Sequence, residues 1–192
     1  MNYTISRKLS KDSIAFVGYR ATGKTTVGRI VAQRLGWIFV DMDETLMDRL
    51  GMTIAEWVRD KGWESFRAEE SRLLAEVASS KHVVVATGGG VVEKLENRQI
   101  LKNNFFVIWL SCPAEEIVDR LAKDEKSISN RPSLTGLGLL EEVSQVLSHR
   151  EPLYREVADV VIDVHSKKPN EVCDLIVNIF QCTTNFDRSL DR

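Results

Sequence analysis

The chain has 192 residues, of which 43% are hydrophobic and 28% are charged, a composition that fits one globular domain with a continuous core. The 26 basic residues are balanced by 28 acidic ones, so no global positive field is available to gather a nucleic acid. The three cysteines include no C-x-x-C pair, which argues against a disulfide framework or a zinc site and favours a reducing, cytoplasmic setting.

The sequence also argues against secretion and against crossing a membrane. Its first dozen residues lack the apolar run of a secretion signal. No stretch approaches the roughly 20 apolar residues that a membrane-spanning helix needs. Neither nucleic acid nor a membrane is therefore an expected partner, and the chain is compatible with a monomer.

Short apolar runs alternate with segments of helical period along the chain. The first run, 14–17, precedes an amphipathic helix that Gly36 is positioned to end. Further apolar runs follow at 38–40, 83–86, 105–110 and 160–162. Because these runs are continuous, both faces of each strand should be buried, which predicts a five-stranded parallel sheet with helices on both sides.

The second half of the chain contains two proline-marked helix starts and one irregular segment. Pro113 and Pro169 each lie in the predicted opening turn of a helix. Between them, 123–138 has no sustained period and is rich in Ser, Asn, Pro and Gly, which predicts a long mobile loop before a helix at 139–147. The last residues, 183–192, are polar and aperiodic and are expected to fray.

The clearest motif follows the first strand directly. The sequence GYRATGKT at 18–25 matches G-x-x-x-x-G-K-[ST] in full, in the strand-to-helix context that gives the motif meaning. Backbone N–H groups of such a loop face phosphates, and the N-terminus of the next helix adds partial positive charge. Lys24 is expected to reach the β- and γ-phosphates, and the Thr25 hydroxyl to bind Mg²⁺. The predicted nucleotide contacts are Gly18, Ala21, Thr22, Gly23, Lys24, Thr25 and Thr26.

Two carboxylates follow the second strand. Asp41 and Asp43 are two residues apart, so in an extended segment they point the same way, toward the carboxyl edge of the sheet. Asp41 is a candidate for holding Mg²⁺ through water, and Asp43 for orienting or deprotonating an acceptor hydroxyl. The alternative is that both residues only cap the next helix.

Further candidates for the acceptor side are glycines and arginines. After the third strand, Gly88, Gly89 and Gly90 let a ligand approach the backbone closely, although a flexible turn is the plainer alternative. Arg67 and Arg150 each offer a planar fork to a substrate carboxylate, although either arginine taken alone fits a surface charge or a helix-pair partner better. Arg131 lies in the irregular segment, where a lid would carry an arginine finger; the alternative is an exposed loop arginine.

Six motifs, taken in order, resemble those of shikimate kinase: GYRATGKTTVG, FVDMDE, FRAEE, ATGGG, NRPSLTG and REPLYREVAD. The resemblance covers about 16–169. It implies a three-layer P-loop fold of the nucleoside-monophosphate-kinase type, with a parallel sheet in the order 2-3-1-4-5. It further implies Mg²⁺-dependent transfer of the ATP γ-phosphoryl group to the 3-hydroxyl of shikimate, on the route to chorismate and the aromatic amino acids.

We therefore predict a single P-loop kinase domain over 1–182, with a lid at 123–138, acceptor-binding helices within 43–79 and a polar tail at 183–192. The resemblance assigns roles position by position. Lys24 and Arg131 are similar to the family's charge stabilisers, Thr25 and Asp41 to its Mg²⁺ pair, and Glu70 to the carboxylate that supports the first arginine. The resemblance implies these shikimate contacts, with the arginines taking the carboxylate: Asp43, Arg67, Gly88, Gly89, Gly90 and Arg150.

The chain departs from the family pattern in two places, and two rival functions stay open. Arg20 and Ala21 occupy P-loop positions where many family members have Gly or Ser, so Arg20 is expected to contact the acceptor, the lid or solvent. Lys167, the candidate contact beside adenine, stands where arginine is common. The rivals are a related small-molecule kinase such as a gluconate kinase, and an ATP-dependent switch, for which no N-K-x-D signature is present.

Overall fold

Strands and helices alternate within 11–123 and 138–190, the residues that the computed structural model describes. In chain order they are β1 (Ile14–Val17), α1 (Lys24–Leu35), β2 (Ile38–Asp41), α2 (Met42–Leu50), α3 (Ile54–Val77), β3 (Val83–Ala86), a 3-10 helix (Val91–Glu93), α4 (Leu95–Asn104), β4 (Phe106–Ser111), α5 (Ala114–Ala122), α6 (Leu139–Val157), β5 (Val160–Asp163) and α7 (Pro169–Leu190). All five predicted strands are present, with bounds within one residue of those expected.

The strands form one sheet in the order β2-β3-β1-β4-β5, and every neighbouring pair is parallel. The predicted parallel sheet and the order implied by the resemblance are both confirmed. With β1 central, the loop that follows it opens at the middle of the carboxyl edge, where ligands bind in sheets of this kind. Asp41 pairs in register with Ala86, so the end of β2 lies level with the start of the glycine run.

Alternate residues of β1 face two separate cores. Ile14 and Phe16 pack in the core that includes apolar residues of α1, α5 and α7, whereas Ala15 and Val17 pack in the core that includes those of α2, α3 and α4. Two-sided burial is thus confirmed for the central strand. It fails at the sheet edges, where Ile38 of β2 and Val161 of β5 are exposed, because an edge strand has a neighbour on one side only.

Helix α6 is longer than the sequence predicts. The expected helix at 139–147 continues to Val157 with Pro152 inside it, although proline removes one backbone hydrogen bond from a helix interior. The N-terminal half of α6 packs Val143 in one core, and the C-terminal half packs Tyr154 in the other. Burial at both ends keeps the helix continuous across the proline.

One of the two predicted helix ends is confirmed and the other differs in the structure. Gly36 ends α1 in the left-handed conformation, with φ of 68°, and its N–H bonds back to Ala32, as predicted. In contrast, α7 runs to Leu190, past the predicted boundary at 182, and Thr183 is buried. The predicted lid at 123–138 lies almost wholly outside the described residues. Within the described part of the chain, no helix combines the length and apolarity needed to cross a bilayer.

Candidate active site

The loop after β1 wraps around the N-terminus of α1. Gly18, Ala21 and Gly23 have positive φ of 139°, 62° and 93°. Because this backbone region favours glycine, the Ala21 conformation costs roughly 1 kcal/mol. The buried Thr22 hydroxyl donates to the Tyr19 carbonyl oxygen and tightens the turn. The result is a backbone cradle at a helix N-terminus, the arrangement that binds phosphate groups.

Lys24 is buried inside this cradle, with a residual exposure of 8%. Its Nζ donates to the carbonyl oxygens of Gly18, at 2.9 Å, and Tyr19, at 2.7 Å. The loop therefore fixes its own ammonium group at the phosphate-binding end. A residue in this position both holds the loop closed and supplies positive charge.

Thr25 and Asp41 meet at the mouth of the cradle. The Thr25 hydroxyl donates to Asp41 Oδ2 at 2.6 Å, while Asp41 Oδ1 accepts the N–H groups of Asp43 and Glu44 as the N-cap of α2. Asp41 can therefore cap α2 and bind a ligand at the same time, because Oδ1 accepts the backbone N–H groups of α2 while Oδ2 lies beside the Thr25 hydroxyl. A hydroxyl and a carboxylate side by side fit Mg²⁺, which takes few protein oxygen ligands and completes its shell with phosphate and water.

A cavity of about 340 Å³ lies in front of the cradle. It brings the phosphate loop and the carboxylates after β2 to one space, as its lining residues show: Arg20, Ala21, Gly23, Lys24, Thr25, Thr26, Asp41, Asp43, Thr87 and Arg120. A second cavity, of about 280 Å³, shares Ala21, Gly23, Thr26 and Arg120 with the first. Lys167, the candidate contact beside adenine, lines the second cavity.

Arg120 on α5 lines both cavities, and the sequence analysis missed it. Its guanidinium donates to the carbonyl oxygens of Ala21 and Val164, each at 3.2 Å, and pairs with Glu116. In the sequence, Glu116 and Arg120 form an ordinary i,i+4 helix pair. Only the fold brings that pair against the phosphate loop.

The glycine run after β3 forms a wall against charged side chains. A Cβ atom at Gly88 would lie 2.4 Å from Glu70 Oε1 and 3.1 Å from Asp43 Oδ1, and one at Gly90 would lie 2.0 Å from Arg67 Nη2. Close approach, rather than turn flexibility, therefore explains why these two positions are glycine. The wall brings Asp43, Glu70 and Arg67 together.

Arg67 and Glu70 form a buried ion pair on α3. Arg67 Nη1 lies 2.7 Å from Glu70 Oε2, and Glu70 has no exposed surface. The guanidinium also lies over the Trp63 ring, 5.2 Å from its centroid. The carboxylate that the resemblance assigns as support for Arg67 thus contacts it directly.

Arg150 lies on α6, one turn before Tyr154, whose hydroxyl donates to the Gly89 carbonyl oxygen. The Arg150 Nε donates to Glu93 Oε1 at 2.7 Å. Burial alone lowers the pKa of Arg150, but Tyr154 and Glu93 raise it, and the net pKa lies above its ordinary value. Arg150, Arg67 and the three glycines are not among the described residues that line the larger cavity.

Arg20 contacts α6 instead of pointing to solvent. Its Nη2 donates to the buried Glu142 Oε1 at 3.0 Å, and its guanidinium lies over the Tyr19 ring. The first turn of α6 is not among the partners expected for Arg20, which were the acceptor, the lid and solvent; Arg20 also lines the larger cavity. Arg131, the predicted lid arginine, lies outside the described residues.

A parallel sheet of order 2-3-1-4-5, with a phosphate-binding loop after its central strand, defines the P-loop fold of the nucleoside-monophosphate-kinase type. Residues 20–181 match the family model described as shikimate kinase. The chain belongs to the shikimate kinase family.

Curated relatives and solved structures agree with this placement. The chain is 43% identical over 167 residues to "Shikimate kinase 2" of Yersinia enterocolitica, covering 87% of this chain and 94% of the relative. It is 44% identical over 149 residues to a shikimate kinase of Nitratidesulfovibrio vulgaris, covering 78% and 85%. The solved shikimate kinase from Acinetobacter baumannii, in complex with shikimate, superposes with a TM-score of 0.84 at 33% identity, covering 90% of this chain and 94% of that one.

Proposed function

We propose that this protein transfers the γ-phosphoryl group of ATP to the 3-hydroxyl of shikimate. The observation that carries the proposal is the larger cavity, because Lys24 and Thr25 of the phosphate loop and Asp43 after β2 all line it. A phosphoryl donor and a hydroxyl acceptor need one shared space, because transfer depends mainly on positioning and on stabilising charge.

On the nucleotide side, the cradle residues hold the phosphates, and Lys24 stabilises charge on the transferring group. Thr25 and Asp41 would hold Mg²⁺, which would neutralise negative charge on the phosphates. The second cavity suits the nucleoside, with Arg120 and Lys167 beside it. Arg120 joins the proposed set because it lines both cavities and its guanidinium donates to the Ala21 carbonyl oxygen of the phosphate loop.

On the acceptor side, Asp43 orients the 3-hydroxyl and accepts its proton. Arg67 and Arg150 bind the carboxylate of shikimate, and Gly88, Gly89 and Gly90 form the wall that the acceptor lies against. The packing of Arg67 against Gly90 and the link from Tyr154 to Gly89 support this arrangement, because they join both arginine-bearing helices to one wall. Arg131 stays a predicted charge stabiliser.

The proposal also covers the cellular setting and the oligomeric state. The three cysteines, Cys112, Cys173 and Cys182, are unbridged, which supports a reducing, cytoplasmic setting. Burial raises the pKa of the Cys112 thiol to about 11, so this cysteine is a poor nucleophile and takes no part in the chemistry. We also propose that the protein is a monomer.

The direct test is phosphate transfer from ATP to a panel of hydroxy acids, with shikimate and gluconate as the decisive pair. We expect ADP release to depend on shikimate, with a stoichiometric yield of shikimate 3-phosphate, and little release with gluconate. Preference for gluconate would replace the proposal with the related kinase. Equal ATP turnover with and without any acceptor would favour a nucleotide-dependent switch.

Gly90→Ala should separate acceptor binding from folding. The added Cβ would meet only the far end of the Arg67 side chain, which is flexible, so the fold should survive while the guanidinium is displaced. We expect shikimate affinity to fall about tenfold or more with ATP affinity nearly unchanged, and the thermal midpoint to fall by less than in Arg67→Ala, because the guanidinium is displaced from Glu70 but not removed. Calorimetric titration of each ligand, with a thermal melt, measures all three. Unchanged shikimate affinity would contradict the proposed contact of Arg67 with the acceptor.

A further inference from the structure

Glu93 lies outside the six motifs that carry the family resemblance. It ends the 3-10 helix that follows Gly90 directly, and its Oε1 accepts the Nε–H of Arg150 at 2.7 Å. Its Oε2 lies 3.2 Å from His149 Nε2. We propose that Glu93 is a positioning residue, which holds Arg150 by its Nε so that the two terminal nitrogens face the acceptor carboxylate.

The proposal rests on the proposed function, because the acceptor carboxylate is that of shikimate. Arginine binds a carboxylate best when both groups are coplanar and two parallel N–H···O bonds form. A long side chain reaches this geometry at an entropic cost unless something fixes its plane beforehand. The hydrogen bond from Arg150 Nε to Glu93 fixes the plane of the guanidinium and uses its Nε–H. The edge of the guanidinium formed by Nη1 and Nη2 is then the one that can bind a second carboxylate.

The backbone that carries Glu93 is held independently of its side chain. Arg98 on α4 donates to the carbonyl oxygens of Val92, at 2.8 Å, and Glu93, at 3.3 Å. Asn97 donates to the carbonyl oxygen of Val91 at 2.9 Å. Removing the Glu93 carboxylate should therefore leave the 3-10 helix and the glycine wall in place, and should change only the restraint on Arg150.

The carboxylate is ionised at neutral pH, as this role requires. Burial alone raises the pKa of Glu93, but hydrogen bonds and charge from Arg150 and His149 outweigh burial and hold this pKa below its ordinary value. Each proposed acceptor arginine thus has its own carboxylate at 2.7 Å, Glu70 for Arg67 and Glu93 for Arg150. Glu70 is three residues from Arg67 in sequence, whereas Glu93 is 57 residues from Arg150, so only the fold reveals the second pair.

The test is Glu93→Ala, compared with Glu96→Ala as a matched control. Glu96 is an exposed carboxylate in the first turn of α4, so its removal makes the same charge change a few residues away. For Glu93→Ala we expect the Kd and KM for shikimate to rise about tenfold, with the KM for ATP and kcat at saturation within about twofold of wild type. The thermal midpoint should fall, because the buried Arg150 guanidinium loses its carboxylate partner, so binding is compared under conditions where the variant is folded. Glu96→Ala should match wild type in every measurement.

A double-mutant cycle with Arg150→Ala shows whether Glu93 acts through Arg150. In the Arg150→Ala background, Glu93→Ala should have no further effect on shikimate affinity. Glu93→Gln, which keeps an oxygen for the Nε–H but loses the charge, should lie between wild type and Glu93→Ala. Additive effects in the cycle would overturn the proposal, as would an equal loss of ATP and shikimate affinity.

Three further outcomes are equally decisive. Tighter shikimate binding by Glu93→Ala would make Glu93 a competitor for Arg150 and would overturn the positioning role. If wild-type protein bound no shikimate, the proposed function would fail and this inference with it. Normal wild-type binding with unchanged affinity in Glu93→Ala would overturn the inference alone, so the two failures are distinguishable.

Discussion

Lys24→Met should reduce the rate of phosphoryl transfer by at least about 100- to 1,000-fold. Lys24 is the buried ammonium of the phosphate cradle, and methionine matches its length without carrying charge or N–H donors. Negative charge on the γ-phosphoryl oxygens would then develop without a cation on that side. Single-turnover measurement of shikimate 3-phosphate formation reports the loss directly, because it excludes product release.

The same substitution should also weaken the fold, by a smaller amount. Lys24 Nζ bonds two carbonyl oxygens of its own loop, and their loss should lower the free energy of unfolding by about 1–3 kcal/mol. Urea denaturation measures this change, and activity must be compared under conditions where the variant is folded. Lys81→Met is the matched control, because Lys81 is a well-exposed surface lysine. A folded Lys24→Met protein with a rate within tenfold of wild type would contradict the assigned role.

The strands and the phosphate loop could be predicted because their determinants are local. The short length and valine content of an apolar run such as 83–86 indicate a buried strand, and the glycine and lysine spacing of 18–25 indicates the loop. The order of the strands has no such local determinant. Here it came from the resemblance to a family, and the structure agrees.

Contacts between distant parts of the chain could not be predicted. Arg20 pairs with Glu142, Arg120 reaches the carbonyl of Ala21, and Arg150 pairs with Glu93, and in each case the partners are more than 50 residues apart. A charged residue in a helix pattern offers many possible partners, and packing alone selects one. The predicted end of α6 was wrong for a related reason. The helix was expected at 139–147, but it continues past Pro152 to Val157 because its two halves are buried in the two cores, and this burial outweighs local propensity.

Arg67→Ala should weaken shikimate binding by roughly 30- to 100-fold, because one charge-assisted, bidentate contact to the acceptor carboxylate is lost. ATP affinity should change little, since Arg67 is not among the described residues lining the two cavities next to the phosphate loop. Titration calorimetry with each ligand separates the two effects. The matched control is Arg72→Ala on the same helix, an arginine whose pair with Glu69 is exposed.

The variant also removes the Arg67 charge from Glu70, which has no exposed surface, so folding must be separated from binding. Breaking one side of such a buried pair typically lowers the free energy of unfolding by about 3–5 kcal/mol, and the partial exposure of Arg67 places the expected loss toward the lower figure. Adding Glu70→Gln removes the buried negative charge and should recover part of that stability. Shikimate affinity should stay low in the double variant, because glutamine cannot replace the guanidinium fork. Recovery of affinity together with stability would mean that Arg67 supports the fold without touching the acceptor.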